Sequence, residues 1–122
     1  MRLLLDTHAF LWLLAGDPRL PARTRSTIAA AEDVALSAAS VWEAELKRAA
    51  GRLASPPVHA AAVRAGIGLI SVTAEHATHA AALPVHHRDP FDRMLVAQAQ
   101  LESRVLVSKD EQVRRYGVAV AW

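Results

Sequence analysis

Short apolar runs alternate along the chain with longer segments of helical pattern. The apolar runs predict strands at residues 2–5, 34–36, 67–72, 105–107 and 118–121. The segments between them predict helices at residues 7–15, 21–32, 38–50, 58–65, 74–83, 90–102 and 110–115. Strands that alternate with helices favour right-handed crossovers and a parallel sheet covered on both faces. The predicted fold class is therefore α/β, a three-layer α/β/α domain with a central parallel sheet of four to five short strands.

Length and composition narrow the class of protein. A chain of 122 residues, 52% of them apolar, is expected to form one domain over residues 1–122. The absence of cysteine excludes a disulfide framework and thiolate catalysis, and it fits a reducing compartment such as the bacterial cytosol. The longest apolar run, residues 9–15, is far shorter than the ~20 residues of a membrane span. Asp6 interrupts the first apolar run before a signal peptide could form, so we expect a soluble, cytoplasmic protein.

The charge of the chain is nearly balanced. Fourteen basic residues against twelve acidic ones leave a net charge of +2 near neutral pH, although the pI is 9.7. Arginine supplies most of the basic groups and hardly titrates, which inflates the pI. Net charge alone therefore gives no argument for a nucleic-acid partner, and the placement of charges matters more.

Several acids fall where a parallel sheet places its ligands, outside the carboxyl ends of the strands. Asp6 and Asp110 follow the first and fourth predicted strands, Glu43 lies in the helix after the second, and Asp92 lies in the first turn of the helix before the fourth. Ser108 also follows the fourth strand. Carboxylates that cluster without matching cations repel one another, and Mg²⁺ or Mn²⁺ with oxygen ligands usually relieves this. Such an ion could bind phosphates and activate water against a phosphodiester.

Each acid also has a structural explanation, which the sequence leaves open. Asp6 could cap the 7–15 helix, and Asp110 could cap its own helix. Glu43 could pair with Lys47 on a helix surface, four residues on. Asp92 follows the cap residue Asp89 at a helix start, where acids favour the helix dipole.

The histidines and tryptophans point less clearly to chemistry. His76 and His79 have no third zinc ligand nearby, so we expect ordinary surface residues there. The basic segment 86–88 is expected to be a solvated loop. Trp12 and Trp42 lie among apolar neighbours and are expected in the core. The 9–15 segment is apolar on every side, so its helix is either covered by the fold or leaves a face for a partner.

Four motifs in order resemble the PIN-domain ribonucleases, specifically the VapC-type toxins of type II toxin–antitoxin pairs. They are Leu3-Leu4-Leu5-Asp6-Thr7-His8, Ser37-Ala38-Ala39-Ser40-Val41-Trp42-Glu43, Asp89-Pro90-Phe91-Asp92-Arg93-Met94-Leu95-Val96-Ala97-Gln98-Ala99 and Val107-Ser108-Lys109-Asp110. The resemblance covers essentially the whole chain and ends in a similar Tyr116-Gly117-Val118. Any one motif is weak, but four in this order are specific.

The resemblance implies a PIN-like fold and a function. The catalytic and metal-binding acids would be Asp6, Glu43, Asp92 and Asp110, with Ser108 supporting them and Asp89 left as a helix cap. The activity would be Mg²⁺- or Mn²⁺-dependent endonucleolytic cleavage of RNA. The family also implies a homodimer and a cognate VapB-type antitoxin that inserts a C-terminal segment near the active site. One departure is His8, where many relatives carry Ser or Asn.

Three other functions compete with this interpretation. A receiver domain of two-component signalling has similar size and an acidic Mg²⁺ pocket, but it needs an acidic pair after its first strand, where this chain has only Asp6. It also needs an acceptor Asp after its third strand, where this chain has Ser71-Val72-Thr73. A structure-specific DNase could use the same four acids. A scaffold that only binds nucleic acid is disfavoured because all four acids are present.

Overall fold

The computed structural model describes residues 1–122 as five strands and seven helices. The strands are β1 (Arg2–Leu5), β2 (Asp33–Ser37), β3 (Gly68–Ile70), β4 (Val105–Val107) and β5 (Val120–Ala121). The helices are α1 (Thr7–Ala15), α2 (Ala22–Ala30), α3 (Ala38–Ala49), α4 (Val58–Arg64), α5 (Ala74–Ala82), α6 (Pro90–Leu101) and α7 (Glu111–Arg114). All strand pairs are parallel, so the predicted α/β class with a central parallel sheet is confirmed.

The strand order in the sheet is β3-β2-β1-β4-β5. Strand β1 is central, and its last residue Leu5 pairs with Leu36 of β2 and with Val107 of β4. The chain runs outward from β1 to β3 and then returns to β4 on the other side, so the topology switches between β1 and β4. A ligand crevice is expected outside the carboxyl ends of those two strands. Receiver domains have the order 2-1-3-4-5, so the observed order argues against that alternative.

The core lies in two layers, one on each face of the sheet. Side chains alternate along a strand, so Leu3 and Leu5 pack with Phe10 on one face while Leu4 packs with Leu95 on the other. All five are at most 1% exposed. Burial on both faces explains why Leu3, Leu4 and Leu5 are all apolar, and Asp6 is the first residue after them that lines a polar pocket. None of the helices has the length and hydrophobicity that a membrane crossing requires.

The ends of the sheet are shorter than predicted. Strand β5 begins at Val120 rather than at residue 118, and β3 begins at Gly68 rather than at residue 67. Both are edge strands with only one neighbour, and Leu69 of β3 remains 37% exposed. An edge strand makes fewer ladder hydrogen bonds, so its ends depend on contacts that an apolar pattern does not report.

The prediction that His76 and His79 are ordinary surface residues is wrong. His76 is 4% exposed, and its Nδ1 accepts the Thr73 N–H at 3.1 Å while Thr73 Oγ1 accepts the His76 N–H at 3.1 Å. This reciprocal arrangement is a capping box in which a ring nitrogen replaces the usual Glu or Gln oxygen. His79 Nε2 lies 2.7 Å from Oε1 of Gln100 on α6. The two histidines therefore start α5 and attach it to α6.

The expectation that Trp42 lies in the core is wrong, because 62% of the residue is exposed. It lies on the outer side of α3 and contacts Phe91 of α6 edge to face, with ring centroids 5.3 Å apart. Trp12 is half-buried and packs against the larger core cluster, close to the prediction.

Candidate active site

A polar pocket opens at the carboxyl ends of β1 and β4, where the topology switches. Five carboxylates and only two lysines line it. Its lining residues are Asp6, Thr7, His8, Glu43, Lys47, Asp89, Asp92, Lys109, Asp110 and Trp122. All four acids proposed from the sequence are among them.

Asp6 has both of the roles that the sequence left open. It is the cap of α1, since its Oδ1 accepts the Ala9 N–H at 2.7 Å, and it also lines the pocket. The residue is 8% exposed and makes no ion pair with a lysine or arginine. Burial therefore raises the pKa of Asp6, even though hydrogen bonds from Ala9 and Ser108 act in the opposite direction. A buried carboxylate of this kind favours a nearby cation.

Ser108 connects the ends of the two central strands. Its Oγ accepts the Asp110 N–H at 3.1 Å, and its hydroxyl lies close enough to Asp6 to lower the pKa of that carboxyl. Ser108 is 1% exposed, so it reaches the acids from behind rather than from the open pocket. Ser108 thus lies beside Asp6 and Asp110, and its supporting role stays a prediction.

Glu43 is held from two sides. Thr7 Oγ1 donates to Glu43 Oε1 at 2.5 Å, across from α1 to α3. Lys47 Nζ lies 3.8 Å from Glu43 Oε2, a long ion pair within α3. The surface pair proposed as an alternative is thus present but loose, and the carboxylate still faces the pocket.

Asp92 is not the cap of its helix. Asp89 has that role, because Asp89 Oδ1 accepts the Phe91 N–H at 2.8 Å. Burial, and after it the neighbouring carboxylate of Asp89, raises the pKa of Asp92 to about 7. Glu43 and Asp6 act on Asp92 in the same direction, which shows that these acids are close enough to repel one another.

Asp110, which lines the pocket, also contacts His87. Asp110 Oδ1 accepts the Gln112 N–H at 2.9 Å as the cap of α7. Its Oδ2 lies 2.8 Å from His87 Nε2, and the same nitrogen lies 3.1 Å from Asp92 Oδ2. The three side chains are arranged closely enough for one metal ion to contact them all.

His87 therefore belongs to the site, and the expectation of a solvated loop at residues 86–88 is wrong for this residue. The Asp89 N–H donates to His87 Nδ1 at 3.1 Å, so in the neutral ring the proton is on Nε2, which donates to the acids. Tyr116 Oη accepts the N–H groups of His86 and His87 at 3.1 and 2.9 Å and holds the loop. The one sequence signal was position, since His87 lies two residues before the cap of the helix that carries Asp92.

The donor set fits a hard divalent cation. Every predicted ligand is a carboxylate, two of them have raised pKa values, and the pocket carries more acids than bases. Oxygen ligands with surplus negative charge suit Mg²⁺ or Mn²⁺.

The family model of the PIN domain matches residues 3–119. The match includes all four acids and all but the ends of the chain. The chain therefore belongs to the PIN domain family, a family of nucleases. No curated protein sequence matches the chain.

Solved structures with the same fold agree with this assignment. VapBC2 from Rickettsia felis, bound to a DNA fragment from its promoter, superposes with a TM-score of 0.71 at 14% identity, over 99% of this chain and 98% of that one. DNA-bound VapBC from Salmonella typhimurium gives 0.70 at 16% identity, over 99% and 97%. The FitAcB structure from Neisseria gonorrhoeae gives 0.64 at 22% identity, over 97% and 95%. At these identities the likeness establishes the fold.

Proposed function

We propose that this protein is an endoribonuclease toxin of the VapC type, which hydrolyses RNA phosphodiester bonds with Mg²⁺ or Mn²⁺ in the bacterial cytosol. The observation that carries the proposal is the meeting of Asp6, Glu43, Asp92 and Asp110 in one pocket at the β1/β4 switch point. Caps and surface pairs explain each acid singly, but they do not explain a shared pocket in a PIN domain. The resemblance of the four motifs to the toxins of this family supports the narrower assignment.

In this proposal the four carboxylates hold the cation and the surrounding groups orient them. Ser108 fixes Asp6 and the backbone of Asp110 relative to each other, and Thr7 directs Glu43. When bound, the ion neutralises charge on the phosphate and activates water for attack. The raised pKa values of Asp6 and Asp92 mean that their ionised forms are disfavoured without metal. A bound cation therefore stabilises these two carboxylates most.

Substrate class is tested by comparing single-stranded RNA with branched DNA of similar length, in Mn²⁺ and in EDTA. The proposal expects cleavage of the RNA in Mn²⁺, none in EDTA, and little cleavage of the DNA. Cleavage of the branched DNA alone would instead favour the structure-specific DNase. Binding of either strand without cleavage of any would favour a scaffold that has lost catalysis.

A cognate antitoxin of the VapB type is the proposed partner. The outer face of α1 adjoins a groove whose apolar lining is Leu11, Trp12, Ala15, Leu14, Leu53, Ala54 and Pro56. Lys47 and Arg52 border the same groove, and so does the ion pair of Arg19 with Asp17. An apolar floor with basic edges suits the acidic or apolar tail of a partner bound next to the acids. The 9–15 helix would then be partly core and partly docking surface.

Hydrogen exchange tests the partner surface. On addition of the antitoxin encoded beside this chain, amides of residues 8–15 should become more protected. Helix α4, which does not line the groove, serves as the internal comparison and should not change. Unchanged exchange over residues 8–15, with protection elsewhere, would mean that α1 only supports the core.

We also propose a homodimer, as the family implies. Trp42 and Leu46 lie one turn apart on α3 and are 62% and 48% exposed. Two large apolar side chains on one helix face favour burial against a second copy. Sedimentation should give twice the mass of the 13.2 kDa chain, and Trp42→Lys should shift it toward monomer. A monomeric unaltered chain at micromolar concentration contradicts this.

A further inference from the structure

Lys109 differs from Lys47, the other lysine of the acidic pocket, because its ammonium makes no ion pair with an acid. It lies between Ser108 and Asp110 and lines the pocket together with five carboxylates, yet it makes no ion pair within 4.0 Å. Lys47, the other lysine of the pocket, lies 3.8 Å from Glu43 Oε2. An exposed ammonium that avoids adjacent carboxylates needs something else to hold it.

Two tryptophan rings hold the Lys109 ammonium. Its Nζ lies 4.7 Å from the centroid of Trp12 and 6.0 Å from that of Trp122. The two rings meet edge to face, with centroids 5.5 Å apart. A ring within about 6 Å attracts a cation by its negative face without neutralising its charge. The ammonium is thus held at the edge of the pocket with its full charge available.

Arg19 contacts the same Trp12 ring, but its charge is already paired with an acid. Its guanidinium lies 4.5 Å from the centroid of Trp12, but its Nη2 is also 2.7 Å from Asp17 Oδ2. The Asp17 carboxylate neutralises that charge and leaves little for a ligand. Lys109 has the aromatic support of Arg19 without the acid partner.

We propose that Lys109, held by Trp12 and Trp122, is a phosphate subsite that binds the sugar–phosphate backbone of a single strand next to the bond placed over the acids. This inference rests on the proposed nuclease function and deepens it. The carboxylates repel a polyanion, so the strand needs a separate positive contact beside them in order to stay bound. A single ammonium group attracts phosphates but makes no contact with base edges. The contact therefore contributes affinity and position rather than sequence preference.

Salt dependence of binding gives a direct count of such contacts. Each phosphate neutralised on a single strand contributes a slope of about −0.7 to log K against log salt, which is worth about fivefold in affinity at ~0.1 M salt. We would measure binding of a fluorescent 12-nucleotide oligouridylate and an oligothymidylate of the same length in EDTA, where neither is cut. Lys109→Gln should reduce the slope by about 0.7 on both strands, and Lys109→Arg should restore most of it.

A matched control separates a specific contact from general charge. Arg64 is exposed on α4, away from the pocket, and also has no acid partner. Arg64→Gln removes the same charge and should leave the slope unchanged. An equal loss in both variants overturns the subsite, because net charge alone would then explain it. An unchanged slope in Lys109→Gln also overturns it, and would leave the lysine for an acidic peptide partner.

The two strands distinguish this inference from the proposed function. If the unaltered chain binds the oligothymidylate but not the oligouridylate, the RNA substrate is wrong, yet the loss of slope in Lys109→Gln on DNA still supports the phosphate contact. If RNA is cleaved in Mn²⁺ but the salt dependence of binding does not change in Lys109→Gln, the proposed function is supported and the phosphate subsite is wrong. No binding of either strand overturns the subsite.

Discussion

Nε2 of His87 lies 2.8 Å from Oδ2 of Asp110 and 3.1 Å from Oδ2 of Asp92. A single N–H group thus stands between two carboxylates that would otherwise repel each other. Its orientation is set from behind by the backbone N–H of Asp89, which donates to Nδ1. In the metal-free protein this ring therefore reduces part of the repulsion that we expect a bound divalent cation to remove.

His87→Ala should therefore destabilise the protein most when no metal is bound. In EDTA we expect the free energy of unfolding to fall by about 1.5–3 kcal/mol, the usual range for a lost hydrogen bond to a charged group. In Mn²⁺ the loss should shrink, because the cation takes over the screening. His59→Ala, on the exposed surface of α4, should change neither value. Equal losses for His87→Ala in the two buffers would contradict this role.

The raised pKa of Asp92 predicts a pH dependence of stability. Between an ordinary carboxyl pKa near 4 and about 7, the folded state retains a proton that the unfolded state has lost. The free energy of unfolding of the metal-free protein should then decrease as pH rises through this window. Acids with lowered pKa values, such as Asp33, lose their contribution only at lower pH.

Urea unfolding in EDTA at pH 5, 6 and 7.5 measures that dependence. Asp92→Asn cannot lose this proton, so its stability should vary less over the same range. The same pH dependence in both proteins would show that other groups cause it.

Asp6→Asn should respond to metal differently from the unaltered chain. Asn caps helices about as well as Asp, so α1 is kept while one buried charge is removed. The variant should melt at a higher temperature in EDTA. The unaltered protein should gain about 2.7 kcal/mol at ~100-fold excess of Mn²⁺ over its Kd, and Asp6→Asn should gain less. Equal gains in thermal melts would remove Asp6 from the metal site and leave it as a cap.

Tyr116→Phe tests the support of the histidine loop. The phenol oxygen accepts two backbone N–H groups, from His86 and His87, which lose that partner in the variant. We expect a cost of about 1–3 kcal/mol from the unpaired donors, together with faster hydrogen exchange at residues 86–89. Exchange in α4 is the internal comparison. Unaltered exchange at the loop would mean that the contacts of Arg93 with the carbonyl oxygens of Pro84 and His87 are enough to hold it.

The sequence predicted the elements whose determinants are local. Asp89-Pro90 marks the start of α6 and Thr73 the start of α5, because cap chemistry depends on neighbouring residues. The apolar run of β1 follows from burial on both faces of the sheet. The convergence of Asp6 and Asp110 was predictable because the carboxyl ends of neighbouring parallel strands meet at one edge.

Features that depend on distant contacts were not predictable in the same way. His87 reaches Asp110 across 23 residues through a loop whose path is set by Tyr116 and Arg93. The exposure of Trp42 depends on which side of α3 faces the sheet, and the buried positions on that side are the small residues Ala39, Ser40 and Ala44, which an apolar pattern does not single out. The sequence also did not show that Asp6 is both the cap of α1 and an acid of the pocket, because there the two roles were weighed as alternatives.

The central claim is that the four acids form one metal-dependent nuclease site, and RNA cleavage by acid variants tests it most directly. Single-stranded RNA should be cut in Mn²⁺ by the unaltered protein and by Glu75→Gln, whose side chain is exposed on α5. Asp6→Asn and Asp92→Asn should remain folded by circular dichroism and lose cleavage by several orders of magnitude, because hydrolysis depends on the bound ion. Cleavage near the unaltered rate by both acid variants would contradict the assigned site.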